Sequence, residues 1–188
     1  MAMATLVLSL AALSPAFSQV VAGDPFADGN DGAKRHIASG FTCPLKIGPF
    51  RRDAVGESDP ESHADFCAYY AQDGVYGTIR LLPVTGTYDP KTSLGGDFEQ
   101  QEATGGKEID ESTADLAGNK GAPLSVYTRS YETSKLEELH YRVLFAGADI
   151  NGWAVETTVE FAEPRDVAVE RTFLQAVYDS ARREIGAK

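Results

Sequence analysis

LHYRVLFAGADINGWAVETTVEF, Leu139 to Phe161, sets two apolar-rich runs either side of Asn151-Gly152. Both residues of an Asn-Gly pair take positive φ at little cost, as a two-residue type I′ hairpin turn requires. The spacing predicts two long antiparallel strands with Ile150 opposite Trp153, Ala148 opposite Val155 and Leu144 opposite Val159. Side chains alternate across a strand. One face is therefore core, closed at its far end by Phe161. The other carries Tyr141, Val143, Phe145, Glu156 and Glu160.

Working outward, Glu163-Pro164 ends the sheet, and RDVAVERTFLQAVYDSARREIG reads as a long amphipathic helix. Asp166 is placed to cap its start and Gly186 its end. Val167, Phe173, Leu174, Val177, Tyr178, Ala181 and Ile185 form its apolar stripe, and Arg182 and Arg183 suit the negative end of the helix dipole. Upstream, LSVYTRSYET alternates as a strand. Residues 107–123 are polar and aperiodic and read as a loop. Before them, Thr92 or Ser93 caps a helix ending at Gly105-Gly106, with Leu94 and Phe98 sharing a buried face.

The N-terminal half offers a second hairpin, DFCAYYAQDGVYGTIRL, Asp65 to Leu81, turning at Asp73-Gly74. A two-residue turn pairs Tyr70 with Gly77, Ala68 with Ile79 and Cys67 with Arg80, so that Tyr70 lies across the bare glycine backbone. Phe66, Ala68, Tyr70, Ile79 and Leu81 then form the core face, and Cys67, Tyr69, Tyr76, Thr78 and Arg80 a mixed outer surface. Alternating Phe41, Cys43, Leu45 and Ile47 predict one short strand ending at Gly48-Pro49, followed by an exposed acidic loop, GESDPESHAD. The expected fold class is α+β, an antiparallel sheet packed by helices with a long C-terminal amphipathic helix.

The order strand, hairpin, helix, strand, hairpin, helix resembles the Mog1/PsbP-like α/β fold. VYGTIRLLPV, SLGGDFEQQ and the Leu139–Phe161 hairpin leading into the last helix carry the resemblance, which spans most of Phe41 to Ile185. It implies an assembly factor or binding module, and no shared catalytic set to carry over.

The chain has 188 residues, enough for one domain with a sizeable core. Its net charge of -11, with no basic stripe, repels phosphate backbones and anionic headgroups, so neither nucleic acid nor a lipid surface is an expected partner. Ala4 to Leu13 is an apolar run of signal-peptide length, broken by Pro15 and followed by Ala16-Phe17-Ser18, which predicts a signal peptide over 1–18 with cleavage before Gln19. No Lys or Arg precedes this run, a departure from the usual pattern. No later stretch is long and apolar enough to span a bilayer. Residues 19–39 are polar and Gly-rich and read as a flexible arm before a domain over 40–188. The arm's Asp24, Asp28, Asn30 and Asp31 do not fit calcium-loop register, since Gly29, Ala27 and Ala38 stand where ligands are needed. The mature protein is expected to be periplasmic or secreted, where Cys43 and Cys67, lacking a C-x-x-C spacing, read as a structural disulfide.

Chemistry is sparse. There is no nucleophile elbow, phosphate loop or dinucleotide fingerprint. Of three histidines, His36 falls in the arm and His140 opens a strand. The best metal candidate is the loop with Asp59, Glu61, His63 and Asp65, whose oxygen and imidazole donors are dense but follow no recognised ligand spacing. No cofactor is expected. The residues therefore point to an exported non-enzymatic domain that binds or helps assemble another envelope protein, through the surface of Tyr69, Tyr76 and Arg80 or the loop around His63. The alternatives are a small-molecule or metal-ion binder and an enzyme of unrecognised type.

Overall fold

Asn151 and Gly152 take φ of 52° and 81°, and the hairpin they turn organises the sheet. A computed structural model describes residues 24–59, 61, 63–72, 75–116, 123–136 and 139–186. Residues 1–18, expected to form a signal peptide, and the first residues of the expected arm lie outside them. The hairpin strands are β10 (Leu139–Ile150) and β11 (Trp153–Ala162), paired in the predicted register: Ile150 with Trp153, Ala148 with Val155, Leu144 with Val159. β9 (Leu124–Leu136) and then β8 (Lys107–Leu116) extend the sheet beyond β10. On the other side of β11 lie β7 (Tyr76–Pro83), β6 (Ala64–Tyr70), β5 (Phe50–Asp59) and the short β4 (Lys46–Ile47). Two four-stranded antiparallel meanders, β4 to β7 and β8 to β11, are thus joined edge to edge along β7 and β11.

The sheet curls into a half-barrel. α3 (Val167–Glu184) lies in its hollow, with Phe173, Leu174, Val177, Tyr178, Ala181 and Ile185 buried against residues of both meanders. Asp166 Oδ1 accepts from the Ala168 and Val169 amides, as an N-cap should, and Gly186 takes φ of 75°. Val167, expected on the apolar stripe, is exposed. On the outer face, α1 (Pro90–Ser93) and α2 (Gly95–Ala103) place Leu94 and Phe98 over Tyr127, Tyr131, Val143 and Phe145. The α1 cap is Asp89 rather than Thr92 or Ser93, since its carboxylate reaches the Lys91 amide and the Thr92 hydroxyl.

Four expectations need correction. The β6–β7 register is displaced by one residue. The Ala71 amide donates to the Val75 carbonyl, and the pairs are Cys67 with Ile79, Ala68 with Thr78 and Tyr69 with Gly77. Asp73 and Gly74 themselves lie outside the described residues. Because side chains alternate with period two, a one-residue slip moves a whole strand's set to the other face. Cys67 and Tyr69 are accordingly core, and Tyr70 is exposed. Gly77 is covered by Val159 and Phe173, not by Tyr70.

The single strand expected over 41–47 is broken at Pro44, which supplies no ladder N–H. Thr42–Cys43 (β3) and β4 belong to different sheets. The stretch 50–59, read partly as loop, is strand, and so is 107–116. Both lie at or near the sheet's ends, where polar residues on both faces hide the alternation. Finally, 26–36 is not a flexible arm. β1 (Phe26–Asp28) and β2 (Lys34–His36) join β3 in a small sheet, with Phe26, His36 and Phe41 buried. Three-residue strands are too short to show a period, and the buried side chains are too widely spaced to announce a core.

Candidate functional site

β6 holds the N-terminal segment at three successive inward positions. Asp65 Oδ2 meets His36 Nε2 at 2.7 Å, Cys67 is bonded to Cys43, and the Tyr69 hydroxyl donates to the Pro44 carbonyl at 3.1 Å. DFCAYY is therefore the seam of the fold. It also disperses the proposed metal ligands. Asp65 is committed to His36, while Glu61 and His63 are exposed at the β5–β6 turn. Among the described residues no three His, Cys, Asp or Glu side chains converge as a metal site would need.

The His36 cluster has the composition of a hydrolase triad. Nδ1 lies 2.7 Å from Ser39 Oγ and Nε2 faces Asp65. The Ser39 amide also donates to Nδ1, which assigns the proton to Nε2 and the lone pair to Nδ1. Geometry stops the comparison there. Ser39 is only 6% exposed, and its oxygen accepts the Phe41 amide at 3.1 Å. A nucleophile needs an approach for the reacting carbon. Here the hydroxyl is spent on closing a turn.

The surface built from Tyr69, Tyr76 and Arg80 does not assemble either. Tyr69 is core, with its phenol pushed far above the usual range by burial. Tyr76 is exposed on the opposite face. Arg80 lies beneath α2, where it meets Asp97 and, at 3.0 Å, Glu156 Oε2. Glu156, directly across from Arg80 on β11, is 1% exposed, and its other oxygen accepts the Tyr88 hydroxyl at 3.0 Å. Burial and the adjacent carboxylate hold the Tyr88 phenol protonated far beyond its ordinary range. This network fastens the loop before α1 to the sheet.

Gly147, the β10 neighbour of Glu156, leaves the space that the Tyr88 hydroxyl occupies. Gly147→Ala puts a methyl group into that oxygen and into Pro90. The expected cost is about 1–3 kcal/mol of unfolding free energy, as for other forced overpacking. Urea denaturation measures it, and an unchanged midpoint would show that Tyr88 is not held at this seat.

The feature left uncommitted is the margin at β8. Among the described residues β8 is the last strand of the sheet, paired with β9 on one side only. Its inward row, Asp110, Ser112, Ala114 and Leu116, continues the Thr128–Ser130 row of β9, and Ser112 Oγ lies 3.0 Å from Thr128 Oγ1. Between this margin and α3 runs a cleft of about 330 Å³, walled on the helix side by Val167, Arg171, Leu174 and Gln175. Glu170 also lines it, buried and held by Arg142 Nε at 3.1 Å and Arg165 Nη2 at 3.2 Å. A second, apolar cleft of about 450 Å³ opens near the start of α3, between Phe50, Val75, Phe161 and Val169. The sequence offered one faint trace of the β8 margin, the alternation of Ser112, Ala114 and Leu116 with Thr113 and Asp115. No protein-family model matches the chain, and no curated protein matches its sequence.

Proposed function

We propose that this chain is an exported, non-catalytic domain that binds or helps to assemble another envelope protein, on a Mog1/PsbP-like scaffold. The observation that carries the reading is the β8 margin: a strand of ten residues whose outer edge is open among the described residues, beside a polar cleft. An open strand edge presents main-chain donors and acceptors to an added strand. The polar constellations elsewhere are consumed by the fold. His36–Ser39–Asp65 closes a turn, and Arg80–Glu156–Tyr88 fastens a loop. The Cys43–Cys67 disulfide fits an oxidising compartment. Among the described residues no helix is long and apolar enough to cross a membrane.

A second reading has its own observation. The cleft's hydroxyls and the buried Glu170 would suit a small polar molecule.

Native mass spectrometry of protein gently purified from the exported fraction separates these. The binding-domain reading expects a chain beginning at Gln19 in a stoichiometric complex with a second protein. A complex with an added small mass and no second protein would overturn it in favour of the small-molecule reading. A chain retaining its first 18 residues would overturn the export argument.

A further inference from the structure

We infer that β8 is the docking edge for an extended, basic segment of the partner protein, which adds a ninth strand to the sheet and turns alternate side chains into the cleft beside α3. The inference rests on the binding-domain reading and names the chemistry of its partner.

The edge is long enough to specify a partner. Ten residues at roughly 3.3 Å each offer about 33 Å of backbone, more than most strands in globular proteins use. Edges of this length are normally shortened, bulged or covered to prevent chance pairing. β8 has one register irregularity, between Glu108 and Asp110, and keeps Ile109 exposed there as an apolar contact. β4, at the opposite end of the sheet, has two residues.

Charge selects the occupant. Glu108, Asp110, Glu111 and Asp115 stand on β8 against one cation, Lys107. Two cations from neighbouring elements answer part of this charge. Arg129 pairs with Glu108 and Glu102, and Lys91 pairs with Glu111. The margin stays negative on a chain whose net charge is already -11. A second copy is a poor occupant, because antiparallel self-pairing of β8 in full overlap sets Glu108 opposite Asp115 at both ends. Like charges directly opposed across strands are destabilising. A segment with Lys or Arg on one face meets Glu108, Glu111 and Asp115, which share the outer face of β8, while Asp110 lies on the cleft side with Ser112. Its alternate side chains, small or apolar, fall on the other side against Val167, Leu174 and Leu116.

The probes are two synthetic peptides of about twelve residues, one alternating Lys and Val, the other Glu and Val. The readouts are affinity and hydrogen exchange of the full mature chain. Two favourable cross-strand charge pairs predict about tenfold tighter binding of the Lys peptide. Added salt should weaken it, and slowed exchange should centre on 107–116. The Glu108→Lys/Asp115→Lys double variant, which gives up the exposed Glu108–Arg129 pair, should stay folded with a slightly lower thermal midpoint and lose the preference. Equal binding of both peptides, protection confined to another surface, or a chain that dimerises through β8 would each overturn the inference. Failure of this inference is distinguishable from failure of the binding-domain reading. A natural partner that leaves 107–116 unprotected defeats only the docking edge, whereas absence of any protein complex defeats both.

Discussion

Replacing both Cys43 and Cys67 with Ser is expected to lower the unfolding free energy by about 3 kcal/mol. The bond closes a loop with a sequence separation of 24, and the chain-entropy model gives about that value for a loop of this size. Two serine hydroxyls would also enter a site where both cysteines are fully buried. The effect should be uneven. His36–Asp65 and Tyr69–Pro44 remain to hold the N-terminal segment, but the covalent tie between them is gone. Amides in 26–43 should therefore exchange earlier than those of β9 to β11, which the seam meets through the His36–Trp153 ring contact and not through a covalent tie. Chemical denaturation gives the total and hydrogen exchange its distribution. Wild-type protein under reductant should match the double variant. An unchanged midpoint would mean the seam is held by the other two ties alone.

Phe173→Ala is expected to cost about 3–5 kcal/mol, the range for deleting a fully buried aromatic side chain. Phe173 lies edge-on to Phe50 with centroids 4.9 Å apart, and edge-on to Tyr69 at 6.3 Å. It also covers the bare backbone of Gly77. Few positions touch so many parts of the N-terminal meander from α3. Because the hollow is bounded by paired strands, collapse around the void should be limited. Val167→Ala serves as the control on the same helix, since an exposed side chain there should change stability by no more than about 0.5 kcal/mol. Equal effects at the two positions would mean that α3 does not seat its apolar stripe in the sheet.

The sequence was legible where one local rule dominated. Asn151-Gly152 specifies its turn type, and the β10–β11 register follows from it. Asp166 and Gly186 bracket α3, and Leu94 and Phe98 share a buried face as their spacing required. Asp73-Gly74 misled because the hairpin closes at Ala71 and Val75, one residue away from a two-residue turn. Both faces of DFCAYY carry aromatics, so patterning alone could not choose between them. Cysteine is among the most buried residue types, and that preference would have put Cys67 inside and corrected the register. The Arg80–Glu156 pair was out of reach for a different reason. It depends on β7 meeting β11, a contact between hairpins far apart in the chain. β8 escaped notice through its position at the end of the sheet, where neither face needs to be apolar.

The meander order also has a bearing on how the chain is made. Synthesis runs from the N-terminus, so β4 to β7 emerge first. β7 must then wait, with one flank open, through the whole stretch from Val84 to Gly152 before β11 arrives to cover it. The helix that fills the hollow follows later still, and its side chains reach both meanders. Without α3 the inner face of both meanders lies bare, and only the outer cluster of Leu94 and Phe98 on Tyr127, Tyr131, Val143 and Phe145 can close. A ribosome-bound chain stalled before the last helix is therefore an unfinished sheet with two exposed rims. The inner core can close only when the last helix is released.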